Sequence, residues 1–263
     1  MVLAATVICG ACLFTSCKKD EEETPANLNV NENIVGKWMQ SEMMGRSMPT
    51  NEKLVYTFLS TTKATISASL NTSPDMATQW NNQREADVVI SGNKMTVTSH
   101  PDEQTTVVET FTVTAISGTE LTANHKVTMT SDGNEMTSDE HEVRFIKLTA
   151  DYSAAILGTW QGHCTSEGSV FDDGQEHRWQ YNADGTYVYY AKNGDNWVPY
   201  EGNTLNEYFV DGTLLCTRWI DNGQENREWW EITIDGTQMH WTALRQNPDG
   251  TTFTATFEME KVN

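Results

Sequence analysis

Two five-residue stretches decide how this chain is read: "IVGKW" at residues 34–38 and "ILGTW" at residues 156–160. Each places Gly-x-Trp behind two aliphatic residues, and the two tryptophans stand 122 residues apart. Repetition of so unusual a phrase points to an internal duplication. The residues after each copy agree with that reading. After the second come "HRWQYNADGTYVYY" (177–190), "EYFVDGTLLCTRWI" (207–220), "REWWEITIDGTQMHWTALR" (227–245) and "NPDGTTFTATFEMEKV" (247–262). Asp-Gly between β-branched and aromatic runs is a strong hairpin signal. After the first come "KLVYTFLSTTKATISASL" (53–70), "ADVVISGNKMTVTSH" (86–100), "VVETFTVTAISGTELTANHKV" (107–127) and "EHEVRFIKL" (140–148), in the same order. No segment sustains a helical period. Hairpins at short spacing predict an all-β chain of two tandem antiparallel meander β-barrels, over residues 34–149 and 150–263.

The N-terminus predicts a compartment. Residues 2–14, "VLAATVICGACLF", are apolar throughout. The run is too short to span a bilayer, which takes about 20 residues, but it suits the core of a signal peptide over residues 1–16. Thr15 and Ser16 then lead to Cys17 and an abrupt charged run. This resembles a bacterial lipoprotein signal, which implies lipidation of Cys17, a membrane held through that anchor, and an outer-membrane location. Residues 17–33 are charged and then rich in Asn, a composition that stays disordered and suits a tether. Their acidic start resembles the surface-export signals of Bacteroidota lipoproteins, and a plain solvated linker explains it equally well.

Charge excludes some partners. The net charge is −20, and residues 150–263 carry six basic against eighteen acidic side chains. So acidic a surface argues against nucleic acid and anionic lipid headgroups as partners. Cys164 and Cys216, the two cysteines beyond the leader, fall on strands expected far apart around a barrel, so no bridge is expected.

A Gly-x-Trp heading an antiparallel meander resembles the lipocalin and wider calycin pattern, and most closely the short lipocalin-like domains of Bacteroidota lipoproteins. The resemblance implies that Gly36, Trp38, Gly158 and Trp160 form barrel floors. It also implies that each Trp packs on a late basic residue, for which Arg144 and Lys261 are the candidates. A ligand held inside a barrel is the function it implies.

Alternate strand residues face inward. In the second half this parity puts Trp179 and Tyr181, then Trp230, Ile232 and Ile234, then Met239, Trp241 and Ala243 inside. The last strand adds Phe253, Ala255, Phe257 and Met259. "TYVYY" and "TLLCTRWI" are apolar on both parities and cannot be oriented. In the first half the inward set is Leu54, Tyr56, Phe58, Ala64 and Ile66. Seven of the nine tryptophans lie in the second half, so the candidate ligand-binding residues are Trp179, Tyr181, Trp230, Trp241, Phe253 and Phe257. Trp219 and Trp229 are candidates for the outer face, where exposed rings suit sugar stacking.

The six histidines lack metal-ligand spacing, and "FDDGQEH" (171–177) reads as a turn. No nucleophile motif or phosphate loop is present. The expectation is a protein without catalytic activity, cofactor or metal, binding a small apolar or amphipathic ligand chiefly in the second barrel. The alternative is an adhesion, scaffold or glycan-binding module with solid barrels.

Overall fold

The computed structural model describes residues 28–68, 83–167 and 169–262. Cys17 and the leader lie outside the described residues, as does Trp80. In the first unit a single helical turn, α1 (Val30–Asn33), precedes β1 (Gly36–Met43), β2 (Arg46–Ser47), β3 (Leu54–Phe58), β4 (Lys63–Ala68) and β5 (Gln83–Ser91). Then come β6 (Lys94–Ser99), β7 (Thr105–Ile116), β8 (Glu120–Ser131), β9 (Asn134–Thr137) and β10 (His141–Leu148). The second unit contains β11 (Gly158–Cys164), β12 (Glu176–Tyr181), β13 (Tyr187–Asn193), β14 (Asn196–Pro199) and β15 (Asn203–Asp211). It ends with β16 (Leu214–Asp221), β17 (Gln224–Asp235), β18 (Gln238–Gln246) and β19 (Thr252–Val262). The anticipated Asp-Gly turns fall between β12 and β13, β15 and β16, β17 and β18, and just before β19.

β10 pairs with both β1 and β8, which closes the first unit into an eight-stranded antiparallel barrel. The second repeats this order with one ladder missing. Where β4 and β5 pair from Lys63↔Asp87 to Ser67↔Gln83, the equivalent β13 and β15 share one bridge, Thr186↔Glu207. A hydrogen bond from the Tyr208 N–H to the Gly185 carbonyl, 2.8 Å, lies beside it. The physical cause is local. Gly194 turns the chain at φ +61°, and β14 folds back onto β13 from Asn193↔Asn196 to Tyr190↔Pro199. With that edge of β13 taken, β15 is left with an open edge. The chain is thus all-β with two barrel-like units, one closed and one a curled, partly open sheet.

The repeated Gly-x-Trp has the same structural meaning in both. Trp38 and Trp160 are 1% and 0% exposed. Each indole Nε1 donates to the carbonyl four residues earlier, Ile34 and Ile156, at 2.6 Å. A lysine from the last strand of its unit covers each ring, with Nζ of Lys147 5.0 Å from Trp38 and Nζ of Lys261 5.1 Å from Trp160. Gly36 and Gly158 sit at φ +130° and +112°, and an added Cβ would lie 2.7 and 2.9 Å from Cε of those lysines. Glycine therefore supplies both the backbone angle and the passage through which lysine reaches the ring. Lys261 takes the expected place; in the first unit Lys147 does so instead of Arg144. Arg144 points outward to Glu42 and Glu142, whereas Lys147 lies directly opposite Trp38 in the β1–β10 ladder.

The two units are docked. Met39 and Val55 of the first pack against Leu214, Cys216 and Trp229 of the second. Lys37 pairs with Asp211 at 2.5 Å and Lys53 with Glu231 at 2.6 Å. The Leu244 N–H donates to Thr50 Oγ1 at 2.9 Å across the same seam. Trp229 faces out of its own unit, as anticipated, but it is buried between the two and offers no stacking surface. Cys216 lies in this seam and Cys164 in the core of the second unit, both free.

Candidate functional site

The two interiors differ although their strands correspond. In the first unit Tyr56, Phe111 and Phe145 meet edge to face at 5.5 to 5.9 Å. Tyr56 donates to the buried Glu109 at 2.7 Å. Glu109 also lies 3.3 Å from His125 Nε2, and that ring stacks on Phe111 at 4.4 Å. The void left is about 10 Å³, too little to hold more than a water. This barrel is solid.

The second unit holds a partly open cavity of about 400 Å³. Ten of its seventeen lining residues are aromatic. Trp179, Tyr181, Trp230, Trp241 and Phe257, all anticipated, line it together. Their rings form one array: Trp241 lies 4.9 Å from Trp179, 5.4 Å from Trp230 and 5.6 Å from Phe257. Phe253 packs against the same core without lining the void. Trp219 lines the cavity, contrary to the expectation of an outward ring, because it shares the inward parity of Leu215 and Thr217 on β16.

Sequence reasoning missed the polar side of the wall. Asp173 and His177, read as turn residues, bring a chain of groups to the cavity wall. Asp173 Oδ1 lies 3.2 Å from His177 Nε2, and His177 Nδ1 lies 3.1 Å from the Tyr189 hydroxyl. Burial opposes ionisation of Asp173, but the Gln175 N–H and the His177 ring outweigh it and hold its carboxyl below the usual range. Burial pushes the Tyr189 phenol up, and the phenols of Tyr181 and Tyr187 further, so all three stay neutral. Glu228 stands inside the wall. Burial raises its pKa, partly offset by the charge of Arg245 and by the Trp230 N–H, which donates to it at 3.2 Å. Asp173 preceding His177 by four residues was the visible signal; the hydrogen bond to Tyr189 joins different strands and was not. Among the described residues, no group of three or more His, Cys, Asp or Glu is placed to hold a metal ion.

The chain matches no family model and no curated protein. Among solved structures it is similar to a crystal structure of a protein of unknown function from the DUF3598 family of Nostoc punctiforme. The identity is 9%, the alignment covers 90% of this chain and 99% of that one, and the TM-score is 0.26. A likeness at that score carries no argument. The class rests on the fold itself: an all-β protein of two barrel-like units, one closed and filled, the other open and hollow.

Proposed function

We propose that this is a lipocalin-like, lipid-anchored envelope protein without catalytic activity, which binds a small apolar or amphipathic molecule in its second unit. The observation that carries the reading is the contrast of interiors, about 400 Å³ against about 10 Å³. A void of that size, walled by aromatic rings with a few polar groups, falls within the range of small-molecule sites. The alternative of a glycan-binding or adhesion module receives less support, since Trp219 lines the cavity and Trp229 lies in the seam between units.

One ligand site per chain is the expected stoichiometry. Titrating the intact protein with 1-aminoanthracene, a neutral apolar fluorophore, should give a saturable rise in probe emission with one site. Trp179→Ala should weaken that binding severalfold, because Trp179 is less buried than Trp241 and lines the void. Emission rising linearly without saturation would reject the binding role. For the anchor, supported by the leader sequence, Cys17→Ala should move the protein from the detergent phase to the aqueous phase on phase partitioning. Unchanged partitioning would sink the lipoprotein reading.

A further inference from the structure

Given the ligand-binding role of the second unit, on which this inference rests, the charge of the cavity wall constrains the charge of the ligand. Asp173, Asp221 and Glu228 contribute carboxyl groups to the lining, and among the described residues no lysine or arginine lines it. Arg245 stands behind the wall. Its guanidinium lies 4.9 Å from the Trp230 ring and 5.6 Å from Phe171, and it donates to the Trp229 carbonyl at 2.9 Å. The fold itself therefore seats a cation against these rings. Arg245 acts on Glu228 and the His177 ring lies 3.2 Å from Asp173, so three carboxyl groups in the lining stand against one permanent cation behind it.

We propose that the cavity takes a flat organic cation, an aromatic ring carrying a protonated alkylamine, whose ring stacks in the Trp179, Trp230 and Trp241 array and whose charge is matched by Glu228, Asp221 and Asp173. Three physical terms favour it. Aromatic faces attract a cation electrostatically, and more strongly once both are out of water. A carboxylate accepting from an ammonium makes a charge-assisted hydrogen bond, stronger than a neutral one. Glu228 is held in a buried site that disfavours its ionised form, and a cation beside it relieves that cost. An anionic amphipath such as a fatty acid meets the same carboxylates as repulsion, least screened at the deeply placed Glu228 and most at the half-exposed Asp173. A neutral ring gains the burial alone.

The test uses one ring in three charge states: tryptamine, indole-3-acetamide and indole-3-acetate, titrated calorimetrically into the intact protein at neutral pH. Tryptamine should bind about tenfold or more tighter than the acetamide, with the acetate weakest. Glu228→Gln keeps an acceptor for the Trp230 N–H while removing the charge. It should weaken tryptamine about tenfold and leave the acetamide within about twofold. Asp221→Asn, on a different strand, should shift the two ligands in the same sense and serves if the first variant folds poorly. Any other order of the three ligands, or tryptamine binding unmoved by both substitutions, overturns the organic cation while leaving a ligand cavity in place. No saturable binding by any of the three or by 1-aminoanthracene overturns the cavity reading along with it.

Discussion

Trp160→Ala should cost about 3 to 5 kcal/mol of stability, the range for emptying a fully buried large aromatic. Three losses coincide at this position. The ring is 0% exposed, so its removal leaves a hole in the core. The Ile156 carbonyl loses its 2.6 Å donor, and an orphaned buried acceptor carries its own penalty of about 1 to 3 kcal/mol. Lys261 loses the face it covers at 5.1 Å. Trp160→Phe keeps a phenyl ring and removes the N–H, so an intermediate loss of about 2 to 3 kcal/mol is expected. Trp38→Ala should behave alike, because its burial, its bond to Ile34 and its lysine are the same in kind. Urea unfolding midpoints of the three variants are the measurement. A loss below about 1 kcal/mol for Trp160→Ala would show that the motif does not hold the core together.

Gly162→Ala should be nearly as damaging, for a different reason. Gly162 lies opposite Met259 where β11 joins β19. A Cβ built there would lie 1.8 Å from the Glu258 carbonyl oxygen and 2.8 Å from the Met259 Cα. Both are backbone atoms, so no rotamer change relieves the clash; the two strands must part. Overpacking ordinarily costs about 1 to 3 kcal/mol and more when backbone has to move, and about 3 kcal/mol or more is expected here. Gly158→Ala is the control. There the obstruction is the end of the flexible Lys261 side chain, at 2.9 Å, so the penalty comes chiefly from the φ of +112° and should be smaller. Equal unfolding midpoints for Gly162→Ala and the parent protein would contradict the strand geometry.

The local signals in the chain were informative because they act over a few residues. Asp-Gly turns need positive φ at their glycine, and Gly185, Gly212, Gly236 and Gly250 all have it. Alternation fails where both faces of a strand are covered. "TLLCTRWI" has no orientation by parity because Leu215 faces the core of its own unit while Leu214 and Cys216 pack on the first unit. Trp229, beside Trp230 on β17, is outward by parity yet buried by the same seam.

The sequence by itself determined the all-β class, the two similar halves, the inward rings and the Gly-x-Trp that heads each half. Those follow from turn chemistry and two-residue periodicity. The tertiary structure set Lys147 over Trp38: it shares the inward parity of Val143 and Phe145 on β10, opposite to that of Arg144, and ladder register places it directly across from Trp38. Only the tertiary structure brought Asp173 and His177 to Tyr189, on another strand. It also decided that one interior is filled and the other hollow. Aromatic residues at inward positions read alike whether they plug a barrel or line one. The first interior is plugged by a Tyr56–Glu109 bond between strands distant in the chain. In the second, β14 occupies the edge of β13 that would have met β15, and the sheet stays partly open. Strand pairing across such sequence distances is settled by the competition of whole edges for partners, and no short stretch of sequence records its outcome.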